Sequence, residues 1–181
     1  MRIFGIDPGS ERTGYGCIDT DGSRCHLVVC GAITVPVHTP FPEKLVQIYD
    51  ELASLLASQR PTCAAIEDIY YARNARSALK LGHVRGVAML AASKAALPVA
   101  EYAPAEVKRA VVGYGQADKK QVQQMIALLL EMDEAPSPYD VSDALAVAVC
   151  HAHTASSPQA QARSAGHGVG AKSWRHFRPR G

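Results

Sequence analysis

The sequence predicts an α/β protein built on a mixed five-stranded sheet with helices on both faces. Three segments with strand patterns follow one another at the start, and two more apolar strands then alternate with helical segments. Consecutive short strands favour an antiparallel meander, and the later alternation favours parallel βαβ additions. The length of 181 residues fits one domain with a short appendage rather than two full domains.

The first three predicted strands each end where the sequence favours a turn. They cover residues 2–6, 13–20 and 26–35, and the letters that follow them are DPG, DG and a proline. Aspartate, glycine and proline end strands because they adopt turn conformations and interrupt the hydrogen-bond ladder. The first strand is a short apolar run, which indicates a buried strand.

The remaining elements follow from apolar periodicity and from helix boundaries. Apolar residues recur at helical spacing in the first long segment, which predicts an amphipathic helix over 42–59. A fourth apolar strand is predicted over 63–66, and a fifth begins at 98. The other predicted helices cover 74–96, 104–111, 118–131 and 140–153.

Composition excludes several classes of protein. The five cysteines are odd in number and never spaced as CxxC, which argues against a disulfide framework and against a zinc finger. The amino terminus resembles no signal peptide, and no apolar run reaches the roughly 18 residues of a membrane helix. We therefore expect a cytoplasmic protein with no membrane contact.

Charge divides the chain into a domain over 1–153 and a basic tail over 154–181. The tail holds five of the 19 Lys and Arg residues and no acid, which leaves 14 basic against 17 acidic residues before it. Too few apolar residues remain in the tail for it to fold alone, so we expect it to be disordered. Alternatively it is a phosphate-binding arm in which Trp174 and Phe177 stack on bases.

Acidic residues stand where predicted elements begin or end. Asp7 ends the first strand, and the carboxyl ends of strands are where open α/β sheets place their chemistry. Glu67 ends the fourth strand; Asp68 should point to the opposite face because strand side chains alternate. Asp140 and Asp143 share one face near the start of the last helix. Singly, Asp7 is explained as a turn residue, Glu67 as a solvated strand end and Asp140 as a helix N-cap.

Together, acids drawn from distant parts of the chain indicate a cation site. Clusters of oxygen ligands alone suit the hard cations Mg²⁺ or Mn²⁺, and the histidines lack a zinc-binding spacing. Two such ions can activate a water and stabilise the leaving oxygen in phosphodiester cleavage. We therefore expect two Mg²⁺ ions per site, with Mn²⁺ as the alternative.

Five blocks of sequence resemble the bacterial RuvC crossover-junction endonucleases. They occur in order over about 1–153 and read GIDPGSERTGYG, AIED with a following aromatic, SALKLGHVRG, VKRAVVGYGQADKKQV and DVSDALAVAVCHAH. The first block alone would be weak, because actin-like and sugar-kinase ATPases begin with a similar turn. Agreement of all five by chance is negligible.

The resemblance implies an RNase H-like fold and a homodimer that resolves Holliday junctions by two symmetric nicks. It also implies a RuvA–RuvB branch-migration complex as partner. For the reaction we expect attack by a metal-activated water that leaves 5′-phosphate and 3′-hydroxyl ends. The resemblance also assigns roles to particular residues: metal ligands Asp7, Glu67, Asp140 and Asp143; backbone-contacting lysines Lys108 and Lys119; and an aromatic at the crossover, Tyr70, with Tyr71 beside it. As a separate mechanistic hypothesis, we expect Lys119 to be catalytic by neutralising charge on the reacting phosphate.

Two acid-poor groups of cations would bind the phosphates on either side of the scissile one. The first follows the fourth strand and comprises Arg73, Arg76, Lys80 and Arg85. The second surrounds a Gly-Tyr-Gly segment and comprises Lys108, Arg109, Lys119 and Lys120, broken only by Asp118, a predicted N-cap. The alternative for the first group is a solvated helix face.

Small residues recur every four positions along the predicted 74–96 helix, at Ala78, Gly82 and Gly86. Such a row allows another backbone to approach closely, although each glycine costs helix stability of up to about 1 kcal/mol. One interpretation is tight packing of this helix onto the sheet. The other is the seam of a symmetric dimer, which suits two nicks in a two-fold substrate.

Three other functions compete with junction cleavage. An actin-like or sugar-kinase ATPase would need a second half that 181 residues do not contain. An RNase H-like nuclease acting on RNA–DNA hybrids is compatible with the carboxylates alone. A catalytically silent junction-binding module would be expected to lack one of the four acids, and all four are present.

Overall fold

The computed structural model describes residues 1–68 and 75–155. Within them lie five strands and five helices. The strands are β1 Arg2–Asp7, β2 Arg12–Thr20, β3 Cys25–Thr34, β4 Cys63–Glu67 and β5 Val99–Tyr102. The helices are α1 Phe41–Gln59, α2 Ala75–Lys94, α3 Pro104–Val112, α4 Lys119–Leu129 and α5 Tyr139–Ala155.

The strands form one mixed sheet in the order β3-β2-β1-β4-β5. Strands β1, β2 and β3 pair antiparallel, and β4 pairs parallel with both β1 and β5. The predicted meander followed by parallel additions is therefore confirmed. The β1–β4 register pairs Ile6 with Ile66, so both strands end at the same edge of the sheet, at Asp7 and Glu67.

Helices cover both faces of the sheet and enclose two apolar cores. Helix α5 packs with α3 and α4 on one face, against Ile3, Cys63 and Ala65. Helices α1 and α2 cover the other face, against Phe4 and Ile66. The two-residue alternation of each strand divides its side chains between these cores.

Glycines in β1 and β2 let α5 lie directly on the sheet. A Cβ at Gly5 would overlap the carbonyl oxygen of Ala144, and one at Gly14 would overlap that of Asp140. Side chains at these two positions would therefore push the helix away. This close approach brings the first turn of α5 to the edge of the sheet where β1 and β4 end.

Element boundaries differ from the predictions at a few ends. Helix α5 begins at Tyr139, so Asp140 lies inside the first turn and its interpretation as an N-cap was wrong. The predicted cap at Asp118 is confirmed, because its side chain accepts a hydrogen bond from the backbone N–H of Gln121. Helix α5 extends to Ala155, and the predicted tail beyond it lies outside the described residues. No helix in the described ranges is long and apolar enough to cross a membrane.

Candidate active site

Asp7 and Glu67 stand side by side at the ends of two parallel strands. Each follows its strand's alternation toward α5: Ile3 precedes Asp7 on that face, and Cys63 and Ala65 precede Glu67. Asp68 lies on the other face, where its carboxylate pairs with Arg85 of α2 at 3.1 Å. One acid of the Glu67–Asp68 pair therefore joins Asp7, and it is Glu67.

Helix α5 supplies two further carboxylates to the same region. Asp140 and Asp143 are one turn apart on a helix whose other side is buried against the sheet. Ser142 between them is fully buried, and its hydroxyl donates to the Tyr139 carbonyl at 2.8 Å. This bond uses the single hydroxyl proton of the serine.

Electrostatic repulsion among these acids is strong. Burial raises the pKa of Asp7 well above its usual value, and the charges of Glu67, Asp143 and Asp140 raise it further. Burial, followed by the charge of Asp143, raises the pKa of Glu67 to about 6. Asp7 and Glu67 are joined by a hydrogen bond that favours a protonated Asp7 and an ionised Glu67.

Two cations lie against the carboxylates of α5. Lys119, at the start of α4, places its Nζ 2.7 Å from Oδ2 of Asp143. Burial lowers the pKa of Lys119, but the hydrogen bond and charge of Asp143, together with the charges of Asp7 and Glu67, outweigh this effect and the pKa is raised. Arg12, at the start of β2, places a guanidinium nitrogen 3.6 Å from Oδ2 of Asp140.

The donor set fits a hard divalent cation. All four side chains offer carboxylate oxygens, the ligands that Mg²⁺ and Mn²⁺ prefer, and the raised pKa of Asp7 and Glu67 reflects negative charge that a cation would neutralise. As arranged in the described part of the chain, no group of three or more His, Cys, Asp or Glu side chains could hold a metal ion. Instead, Asp143 is held by Lys119 and Asp140 by Arg12.

A family model describing the crossover junction endodeoxyribonuclease RuvC matches residues 3–151 of the chain. This match spans the sheet apart from Arg2, the first residue of β1, and includes all four carboxylates. The chain belongs to the RuvC family. The nuclease class expected from the resemblance is thus confirmed, and divalent-metal dependence is general to this family.

Relatives and a solved structure agree with this membership. A RuvC of Koribacter versatilis is 54% identical over 155 residues, which cover 85% of this chain and 93% of the relative. A RuvC of Syntrophotalea carbinolica is 56% identical over 153 residues, covering 84% and 94%. The structure of Thermus thermophilus RuvC in complex with a Holliday junction substrate matches with a TM-score of 0.82 and 33% sequence identity. The match covers 86% of this chain and 95% of the Thermus chain. The predicted RNase H-like fold is confirmed by this structural match to RuvC.

Only some of the predicted DNA-contacting cations lie near the four carboxylates of Asp7, Glu67, Asp140 and Asp143, which we call the RuvC carboxylates. Lys119 forms an ion pair with Asp143, and the charge of Lys108 lowers the pKa of Glu67. Lys120 follows Lys119 on α4 and is exposed. Arg76 and Lys80 lie on the exposed first turns of α2, with the Lys80 ammonium 5.7 Å from the centroid of the Phe41 ring. The predicted contacts Tyr70 and Arg73, with Tyr71, lie outside the described residues.

Arg85 does not belong to the exposed basic group in which the sequence placed it. Its guanidinium pairs with Asp68 and with Glu101, on the face of the sheet away from the RuvC carboxylates. Its side chain is only 22% exposed. The prediction failed because helical position alone does not reveal that acids at the ends of β4 and β5 lie beneath this residue.

The row of small residues on α2 faces away from the domain. Ala78, Gly82 and Gly86 are exposed, and a Cβ at either glycine would meet nothing within 4 Å. Tight packing of this row onto the sheet, one of the two interpretations of the sequence, is therefore wrong. The dimer seam stays a prediction.

Two residues near the RuvC carboxylates were missed from the sequence. Arg12 lies within the first of the five sequence blocks, but nothing in its spacing indicated that β2 would bring it to Asp140. Tyr139 precedes Asp140, and the Lys119 ammonium lies 5.9 Å from the centroid of its ring. The place of Tyr139 next to Asp140 in the sequence was a usable signal. The contact of Arg12 with Asp140 depends instead on the close packing of α5 on the sheet.

Proposed function

We propose that this protein is an endonuclease that resolves Holliday junctions by two symmetric nicks. The observation that carries the proposal is the group of four carboxylates on α5 and on adjacent strand ends of a RuvC scaffold. Crossover junction endodeoxyribonuclease is the name of its 54–56% identical relatives, and the Thermus protein is described with a Holliday junction substrate. Cleavage by water would leave 5′-phosphate and 3′-hydroxyl ends.

Asp7, Glu67, Asp140 and Asp143 would hold the metal, which we propose to be two Mg²⁺ ions with Mn²⁺ as a substitute. When bound, such ions lower the pKa of a water and stabilise the leaving oxygen in phosphodiester cleavage. The raised pKa of Asp7 supports this assignment, because burial raises it first and three neighbouring carboxylates raise it further. Cations would relieve the repulsion and keep all four side chains ionised.

Lys119 would assist by neutralising charge on the reacting phosphoryl group. Its ammonium already lies at the carboxylates, 2.7 Å from Asp143, and its charge lowers the pKa of Glu67. A fixed cation at this position stabilises negative charge that develops in the transition state. Lys108 acts on Glu67 in the same direction and would contact the adjacent backbone.

Cations around the acids would supply most of the affinity for DNA. Lys108, Lys119 and Lys120 lie on the α3–α4 side, and Arg76 and Lys80 on the exposed start of α2. Phosphate contacts of this kind are strongly salt-dependent and carry no sequence information. Tyr70 would stack at the crossover, an assignment that rests on the family resemblance. Arg73 would join the α2 group, because it belongs to the same acid-poor run of cations in the sequence.

A homodimer would set two such sites on one two-fold symmetric junction. We propose the row of Ala78, Gly82 and Gly86 as its seam, because α2 presents it outward with open space above both glycines. RuvA–RuvB remains the partner implied by the family. The basic residues after 155 are proposed as an accessory, nonspecific phosphate-binding or solubilising tail.

Cleavage of a labelled four-way junction in Mg²⁺ tests the proposed function, beside linear duplex and an RNA–DNA hybrid of the same sequence. Paired symmetric nicks in the junction alone, absent with EDTA and with Asp7→Asn, are expected. Cleavage of the hybrid instead would overturn junction specificity and indicate an RNase H role. Tight junction binding without cleavage in Mg²⁺ and Mn²⁺ would indicate a silent binding module.

A further inference from the structure

Arg12, the first residue of β2, forms an ion pair with Asp140, one of the carboxylates of the proposed metal site. Its guanidinium lies 3.6 Å from Asp140, and the two side chains are 47% and 33% exposed. The corresponding pair on the next turn, Lys119 with Asp143, is closer at 2.7 Å, and the Asp143 side chain is only 14% exposed. The Arg12 pair is thus the longer of the two and has the more exposed carboxylate, although Lys119 is itself 63% exposed.

The backbone that carries Arg12 is fixed, so its side chain is the part that can move. Arg12 pairs with Thr34 in the β2–β3 ladder, and the adjacent Thr13 hydroxyl donates to the Gly9 carbonyl at 2.8 Å. Thr13 itself is fully buried. A long arginine side chain on this anchored base can reach either Asp140 or a group placed beside it.

A groove of about 520 Å³ runs past this pair. Its lining includes the turn between β1 and β2, the end of β3 and Asp140. Arg12 is its single cationic residue, and Glu11 is the other charged residue of the turn. A phosphate of a strand continuing from the carboxylates into this groove would find Arg12 as its only positive partner among the lining residues.

We propose that Arg12 exchanges between Asp140 and a DNA phosphate, and thereby couples divalent-cation binding to junction binding. This inference rests on the proposed function for its substrate. When Asp140 binds a divalent cation, the negative charge of its carboxylate is neutralised and no longer attracts the Arg12 guanidinium. Arg12 is then available to a phosphate in the groove. A weak, solvated ion pair suits such an exchange because little is lost when it breaks.

Calcium titration of the free protein tests the first half of the exchange without any DNA. Arg12→Gln removes the competing guanidinium, so isothermal titration calorimetry should give a Ca²⁺ affinity roughly 2–5-fold higher than that of the unchanged protein. Arg12→Lys should stay close to the unchanged protein. Arg24→Gln, which removes one charge at the distant β2–β3 turn, is the matched control and should not alter the affinity. Equal Ca²⁺ affinity of Arg12→Gln and Arg24→Gln overturns the competition.

The salt dependence of junction binding tests the second half. Binding of a fluorescent four-way junction is measured against salt in EDTA and in Ca²⁺ for each variant. Each phosphate contact contributes about 0.9 to the slope of log affinity on log salt. We expect the slope to become steeper when Ca²⁺ is added to the unchanged protein and to Arg24→Gln, because Arg12 then contacts a phosphate. In Arg12→Gln this steepening should be smaller by the value of about one phosphate contact. The same change in all three overturns the proposal.

Failure of the inference and failure of the proposed function give different results. Symmetric nicking of the junction by the unchanged protein in Mg²⁺, with no difference between Arg12→Gln and Arg24→Gln in either binding experiment, would overturn only the role of Arg12. Absence of nicking with a Ca²⁺ affinity that depends on Arg12 would instead keep the ion-pair competition and reject the junction nuclease.

Discussion

A hydrogen bond joins the side chains of Asp7 and Glu67 at the ends of two parallel strands. The bond favours the protonated form of Asp7 and the ionised form of Glu67. It joins two acids whose pKa values are both raised, first by burial and then by neighbouring carboxylates. A proton between them therefore relieves part of the repulsion that a divalent cation relieves in the family's reaction. Stability and catalysis should depend on the same four side chains in opposite ways.

Metal-free protein should lose stability as the pH rises through the window between 4.5 and about 6. The pKa of Glu67 is raised from 4.5 to about 6, so the folded state binds more protons there than the unfolded state, and the free energy of unfolding falls with pH. At pH 7.5, Glu67→Gln should increase that free energy by about 1–2 kcal/mol. Urea unfolding in EDTA at a series of pH values measures the difference.

Glu134→Gln is the control for this experiment, because it removes the same charge from an exposed loop position. The gain from Glu67→Gln should shrink toward pH 4.5, where the unchanged glutamate is protonated in the folded protein. A gain that is independent of pH would contradict the electrostatic origin.

Asp7→Asn should separate cleavage from binding. The amide keeps the shape of the carboxyl but supplies no anionic ligand, so cleavage in Mg²⁺ should fall at least about 100-fold. Junction affinity in EDTA should be kept or increased, since phosphate binding depends on the cations and one repelling charge is gone. Gel shift and single-turnover cleavage measure both, with Asp133→Asn as an exposed-loop control. Loss of binding together with cleavage would refute this separation of roles.

Local pattern and topology account for what could be predicted. Apolar runs and turn residues located all five strands and five helices, and strand alternation separated Glu67 from Asp68 because it is a local rule. Contacts between distant elements were not accessible. Arg12 contacts Asp140 because glycines in the sheet let α5 lie close to the strands. Arg85 is engaged in ion pairs with Asp68 and Glu101, which lie on two other segments of the chain.

Lys119→Met should lower cleavage by at least about 10-fold and shift its pH dependence. The charge of Lys119 lowers the pKa of Glu67, so its removal should raise that pKa and move the acidic limb of the rate profile to higher pH. Single-turnover rates across pH measure the shift. Lys120→Met, at the exposed neighbouring position, should weaken junction binding and leave the limb in place. Identical profiles for the two variants would contradict the role of Lys119.

Gly86→Leu should weaken dimerisation without harming the fold. Nothing lies within 4 Å of a Cβ at Gly86, and replacing a helical glycine favours the helix by up to about 1 kcal/mol. Sedimentation equilibrium should therefore show a larger monomer fraction at an unchanged or higher melting temperature. Gln124→Leu places the same side chain on exposed α4 as a control. An unaltered mass distribution for Gly86→Leu would remove α2 from the dimer seam.

Arg85→Met should destabilise the fold and leave junction binding intact. Arg85 ties α2 to Asp68 and Glu101 at the ends of two strands, and its loss leaves two carboxylates unpaired. Both carboxylates are about 40% exposed, so solvent screening should hold the cost to about 1–2 kcal/mol. Chemical unfolding measures this cost, and adding Glu101→Gln to Arg85→Met should recover part of it.

Junction affinity then separates Arg85 from the cations at the start of the same helix. Because its guanidinium is engaged on the face away from the RuvC carboxylates, Arg85→Met should bind the junction within about twofold of the unchanged protein, with an unchanged salt slope. Arg76→Gln, at an exposed position on the first turn of α2, should instead weaken binding and reduce the slope by about one contact. If Arg85→Met also reduced the slope, the arginine would leave its ion pairs to contact DNA, and the proposed basic surface would extend along α2 beyond Lys80.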